Sequence, residues 1–175
     1  MQNPKDIVEL RKVDSIRKMV PFKYIFLDFD GVLNNYSTEF DPNAIANLRT
    51  LIDVTGAKIV VSSSWRLLGL KRMERLWKEH GLPDEIYGAT PSCNAAFFTN
   101  AFSPHKKWSS LPSCRGIEIE EWLRNCAPEF HSYAILDDDD SEILVSQQNH
   151  LVKTDPMVGL TEENVRQTIA ILGKI

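Results

Sequence analysis

Tyr24-Ile25-Phe26-Leu27-Asp28-Phe29-Asp30-Gly31-Val32-Leu33 is the stretch on which the reading of this chain turns. It starts as an unbroken apolar run, the pattern of a strand buried on both faces in the middle of a parallel sheet. It then carries two carboxylates, which are costly to hold beside a core unless their charge is offset. A divalent cation is the natural offset. Asp28 and Asp30 stand at i and i+2, so on a continuing strand both would share one face. Gly31 permits a sharp turn and lets a ligand approach the backbone.

Downstream, a polar loop follows, and Asp41-Pro42 starts a helix with Asp41 as N-cap and Pro42 in its first turn. Ala44, Ile45, Leu48, Leu51 and Ile52 supply its apolar stripe, and Gly56 closes it. Lys58-Ile59-Val60-Val61-Ser62 is a second apolar strand, ending in Ser62-Ser63-Ser64. Strand, helix, strand at this spacing predicts a right-handed βαβ unit.

The alternation continues. A helix is expected over about 70–80, an edge strand at 85–88, and a helix opened by Arg115-Gly116. In that helix Ile117, Ile119, Trp122 and Leu123 form the apolar side, while Glu118, Glu120 and Glu121 face water. Ser132–Leu136 reads as a buried strand ending in Asp137-Asp138-Asp139-Asp140, and His150–Lys153 as a last strand. Thr161 caps a final helix with Val165, Ile169 and Leu172 inward. The fold class is α/β: a three-layer, Rossmann-like domain with a mainly parallel central sheet and helices on both faces. Residues 22–175 form this domain, and 1–21 contribute an amphipathic helix packed on its outside. A long loop at about 89–114 carries Phe97, Phe98, Phe102, His105, Lys106, Lys107 and Trp108, a mixture that suits recognition or, for its aromatics, folding of the loop onto the core.

Composition bounds the function. A chain of 175 residues with 43% hydrophobic and 25% charged residues suits one soluble globular domain. A net charge of -4 gives no whole-surface reason for tight nucleic-acid or membrane binding. Cys93, Cys114 and Cys126 are sparse and unpaired in spacing, which argues for a reducing compartment. No secretory leader or membrane-length apolar run is visible, so a cytoplasmic setting is expected, or secretion without a cleavable signal. The spacing of the four histidines suggests neither a metal site nor a triad.

Ligands of open α/β sheets bind outside the carboxyl ends of the strands. Three such ends here are chemically loaded: Asp28/Asp30, Ser62–Ser64 and Asp137–Asp140. On these residues the chain resembles the haloacid dehalogenase-like (HAD) superfamily. Asp28-Phe29-Asp30-Gly31-Val32-Leu33 looks like its first motif and the closed strand at Ser62 like its second. Arg115 sits where the third motif has its basic residue, and Asp137-Asp138 looks like the fourth. Ser62-Ser63-Ser64-Trp65-Arg66, Arg115-Gly116 with Glu118, Ile119, Glu121, Trp122 and Leu123, and Leu136-Asp137-Asp138-Asp139 resemble small HAD domains grouped with RNA-repair proteins. Val152-Lys153-Thr154-Asp155 and Gly159-Leu160-Thr161 match that group's tail. The likeness spans about residues 22–172.

The resemblance implies a Mg²⁺-dependent phosphatase working through an aspartyl-phosphate. Asp28 is the nucleophile and Asp30 the acid–base. Asp28, Asp30 (through its backbone carbonyl) and Asp137 or Asp138 are the metal ligands. Ser62, or Ser63 if the strand runs one residue longer, binds phosphate, and Arg115 offsets the growing charge. Lys106 or Lys107 could replace Arg115 if the loop folds inward. Only about 30 residues separate Asp30 from Ser62, so no large cap domain fits between them. An open site suits a large substrate, a polynucleotide end or a phosphoprotein such as phosphotyrosine, with Lys106, Lys107 and Trp108 as contacts. A silent HAD-fold binding module and a phosphatase of small nucleotides or metabolites are the alternatives. Oligomeric state is not legible.

Overall fold

A computed structural model of the chain describes residues 21–35, 39–92 and 114–173. Residues 1–20 (the expected amphipathic helix), Cys93, and the loop residues Phe97, Phe98, Phe102, His105, Lys106, Lys107 and Trp108 lie outside those residues.

The sheet has five strands in the order β3-β2-β1-β4-β5, every pairing parallel. β1 (Phe22–Leu27) is the central strand, β2 (Lys58–Val61) and β3 (Ile86–Ala89) lie to one side, and β4 (His131–Asp137) and β5 (Leu151–Lys153) to the other. The most apolar run of the sequence therefore occupies the most enclosed position, as a strand covered on both faces requires.

Alternate residues of β1 serve opposite faces. Ile25 and Leu27 enter a large core with Leu48 and Leu51 of α1 (Pro42–Thr55) and Met73 and Trp77 of α2 (Leu70–Glu79). Tyr24 and Phe26 enter a second core with Ile119 and Trp122 of α3 (Cys114–Cys126). The last helix, α4 (Glu162–Leu172), returns Val165 and Leu172 to the first core. Among the described residues no large cap is evident, and no helix is long and apolar enough to cross a membrane.

Local chemistry starts and stops these helices as the sequence suggests. Asp41 accepts a hydrogen bond from Asn43 N at 2.8 Å, Pro42 opens α1, and Gly56 closes it in the left-handed region. Thr161 caps α4 through Asn164 N. One expectation about a polar side chain is corrected. Glu118 does not face water: it is buried and ion-paired with Arg66.

The parallel ladder runs one residue past the strands: Asp28 N donates to Leu136 O, Ser62 N to Leu27 O, Thr90 N to Val61 O and Thr154 N to Asp137 O, each at 3.0 Å. The polar residues that end the strands are thereby held in register across one edge of the sheet.

Candidate active site

Asp28, Asp137 and Asp138 come together at that edge. One carboxylate oxygen from each lies within 4.8 Å of the other two. Asp28 and Asp137 are buried and Asp138 half-buried. Burial pushes the Asp28 carboxyl above its ordinary range, against the pull of Arg115, the Ser63 hydroxyl and the Phe29 N–H. The Asp137 carboxyl is pushed up to about 7, again by burial first, with Arg115 lowering it and Asp28 raising it. Close, desolvated carboxylates resist joint ionisation.

Arg115, in the first turn of α3, is the cation that holds them. Its Nη2 stands 3.2 Å from Asp28 Oδ2 and its Nε 3.0 Å from Asp137 Oδ2, while Nη1 donates to Ser62 O at 2.7 Å. Burial would weaken its charge, but Asp28 and Asp137 more than compensate and its pKa rises. Asp137 Oδ2 is ion-paired with the guanidinium yet accepts no hydrogen bond. Among the described residues Arg115 thus faces three clustered carboxylates and leaves acceptor capacity open on Asp137 Oδ2. Oxygen donors, negative charge and an unsatisfied lone pair are what a hard divalent cation takes. The residues present fit such an ion.

The run of four aspartates resolves by geometry. Asp139 Oδ1 accepts from Ser141 N at 2.8 Å, and Asp140 forms an exposed ion pair with Lys153. Neither joins the cluster. Asp139 N donates to Asp137 Oδ1 at 3.0 Å, which fixes the rotamer of the buried acid. Asp138 reaches the cluster over Gly31. A Cβ at Gly31 would lie 2.4 Å from Asp138 Cγ, and the glycine sits at φ 71°. The close approach expected at Gly31 is made by this side chain. Thr154 Oγ1 donates to Gly31 O at 2.8 Å, and Leu160 N to Val32 O at 2.8 Å, so the segment after β5 clamps the turn.

The other sequence-predicted residues are placed as follows. The Asp30 carboxylate stands outside the three-acid cluster. It accepts from Trp65 Nε1 at 2.9 Å and from Asn34 Nδ2 at 3.1 Å. Ser63 Oγ accepts from Trp65 N at 3.3 Å, and the Ser63 side chain also hydrogen-bonds Asp28. Ser62 Oγ is buried without a hydrogen-bond partner.

Sequence reasoning missed Trp65 and Asn34 as partners of Asp30, and it missed Arg66 as a structural clamp. The Arg66 guanidinium donates to Ser62 O, Ser63 O, Thr90 O and Pro91 O and pairs with Glu118. It ties the ends of β2 and β3 to the helix that carries Arg115. A signal for Glu118 existed: it is i+3 from Arg115 and i−4 from Trp122, and so shares their face.

A family model describing the HAD domain in Swiss Army Knife RNA repair proteins matches residues 24–165. No curated protein matches the chain.

Proposed function

The chain belongs to the family of HAD domains in Swiss Army Knife RNA repair proteins, and from that membership and the site's geometry we propose a phosphomonoesterase that uses Mg²⁺ and forms an aspartyl-phosphate. The family description favours a phosphorylated polynucleotide end as substrate, ahead of a phosphoprotein. The observation that carries the reading is Asp28 clustered with Asp137 and Asp138 at the carboxyl edge of the sheet, with Arg115 3.2 Å away. A catalytically silent binding module would need neither a nucleophile nor a metal-binding acid set, and this chain carries a candidate for each in Asp28 and the Asp28, Asp137 and Asp138 cluster.

Asp28, Asp137 and Asp138, with the Asp30 carbonyl, would hold the cation, which when bound supplies charge neutralisation for a phosphoryl group. The chain's own residues do the rest. An Asp28 oxygen attacks phosphorus as the bond to the leaving oxygen breaks, and Asp30 gives that oxygen its proton. Asp30, now a carboxylate, takes a proton from the water that attacks the acyl phosphate, and inorganic phosphate leaves with Asp28 restored. The partnerless Ser62 hydroxyl is suited to donate to a phosphoryl oxygen, while Ser63 orients Asp28. Arg115 contributes a fixed positive charge, with no reorganisation at the moment of reaction.

Phosphate release tests this directly, at near-neutral pH with Mg²⁺ or with EDTA. The panel holds an aryl phosphate, 3′- and 5′-phosphorylated oligonucleotides, and phosphotyrosine and phosphoserine peptides. Mg²⁺-dependent turnover that Asp28→Asn abolishes is expected, with an oligonucleotide preferred. No turnover of any member would overturn the phosphatase reading.

A further inference from the structure

Asp30 stands two residues from Asp28, yet its carboxylate is outside the acid cluster. It is held elsewhere by two donors, Trp65 Nε1 at 2.9 Å and Asn34 Nδ2 at 3.1 Å, one on each oxygen. We propose that Trp65 is a positioning residue for proton transfer: its indole N–H holds the Asp30 carboxyl by Oδ2 and leaves Oδ1 to serve the leaving group. This rests on the reading of Asp30 as the acid–base of a phosphatase.

An indole Nε1–H can only donate. The carbonyl oxygen of a neutral carboxyl is a better acceptor than its hydroxyl oxygen, so the indole at 2.9 Å favours Oδ2 as the carbonyl and Oδ1 as the oxygen that carries the proton. Asn34, at the longer distance, is the partner that yields when Oδ1 takes that proton. Each catalytic cycle then begins and ends on the same oxygen. Oδ1–H gives its proton to the leaving oxygen as the phosphorus–oxygen bond breaks. Oδ1 regains a proton from the attacking water as the acyl phosphate is cleaved.

The indole is itself held in place. Its ring meets Phe29 edge-on at 5.8 Å between centroids and Phe40 at 5.7 Å. Its backbone N donates to Ser63 Oγ, capping the 3₁₀ turn Ser64–Leu68. The Trp65 side chain therefore fixes the carboxyl that serves the leaving group, while the cap of the turn uses only its backbone N–H, which Trp65→Phe keeps. A tryptophan present only to fill space would owe nothing to its N–H.

Trp65→Phe keeps an aromatic ring in the packing and removes the donor. The readout is kcat/KM across a series of leaving groups, because kcat/KM covers steps only through the first irreversible one, the departure of the leaving group. A 4-nitrophenyl leaving group needs no proton; an alkyl or nucleoside oxygen does. General acid catalysis contributes roughly 10²–10⁴-fold, and misplacing the acid should lose about tenfold or more of it. The variant is expected within about threefold of wild type on 4-nitrophenyl phosphate and at least about tenfold slower on a phosphorylated oligonucleotide or a simple alkyl phosphate. Asp30→Asn marks the steepest dependence attainable. If Trp65→Phe folds poorly, benzothienylalanine at position 65 keeps the bicyclic shape with sulfur in place of the N–H. Equal losses on all substrates, or none on any, would overturn the role of Trp65. Wild-type protein inactive on every phosphate ester would instead overturn the phosphatase reading beneath it.

Discussion

Replacing Glu118 by leucine strands a guanidinium. The Arg66 and Glu118 side chains are only 9% and 8% exposed, so neither charge can turn to water when its partner goes. Breaking a buried pair from one side costs about 3–5 kcal/mol. The structure orders the two single changes within that range. After Glu118→Leu, Arg66 keeps four carbonyl acceptors, at Ser62, Ser63, Thr90 and Pro91, which places the loss near about 3 kcal/mol. After Arg66→Met, Glu118 keeps its burial and loses its guanidinium. Ser63, Thr90 and Pro91 also lose a donor, while Ser62 O retains Arg115. That change should cost about 4–5 kcal/mol.

The double variant, Arg66→Met with Glu118→Leu, removes both charges, and an uncharged pair of similar bulk is often tolerated. It should lose less than Arg66→Met alone, because no charge is left stranded, and fall well short of the sum of the singles, with a coupling of about 3 kcal/mol. Urea unfolding followed by circular dichroism measures all four proteins, and an unchanged m-value shows that stability alone has moved. Strict additivity would refute the claim that the pair acts as a unit joining β2 and β3 to α3. So would a loss below about 1 kcal/mol for Glu118→Leu, the size of an exposed ion pair.

Two further outcomes follow from the acid cluster and its turn. The raised pKa of Asp137, about 7, means the folded protein binds a proton that the unfolded chain releases near pH 4. In metal-free protein this stabilising contribution is full below about pH 4 and is lost as pH rises toward 7. Thermal unfolding should accordingly show wild type losing ground to Asp137→Asn over that window in EDTA, with Mg²⁺ reversing the trend; a constant difference would refute the assignment. Gly31 and Gly56 both lie at positive φ, but a Cβ at Gly31 meets Asp138 while one at Gly56 meets nothing within 4 Å. Gly31→Ala should thus cost clearly more than the roughly 1–2 kcal/mol of left-handed strain expected at Gly56→Ala, and it alone should weaken Mg²⁺ binding by calorimetry; equal costs would place Asp138 elsewhere.

What could be read in the sequence is what lies along one strand or one helix. The apolar runs ending at Leu27, Val61 and Leu136 each close in a polar residue, and parallel pairing then lines those residues up without further information. Asp28, Ser62 and Asp137 were legible for that reason. Period-two reasoning stops where the strand stops, so it could not choose among four consecutive aspartates. The choice falls on Asp137 and Asp138 because β4 ends at Asp137 and because Gly31 leaves room for the next side chain.

The partners that tune the site are of another kind. Trp65 reaches Asp30 across 35 positions and Arg66 reaches Glu118 across 52, and no local period encodes either contact. Both donors belong to the short turn after β2, whose path depends on how α2 and α3 settle against the sheet. Glu118 was nevertheless within reach. On α3 the residues 115, 118, 119 and 122 form one stripe. Ile119 and Trp122 commit that stripe to the core, so an acid within it must be buried and must find a cation. Reading Glu118 with its face rather than with Glu120 and Glu121 leads to a buried arginine as its partner. The Ser-Ser-Ser-Trp-Arg turn supplies that arginine directly after the β2 strand end on which the site is built.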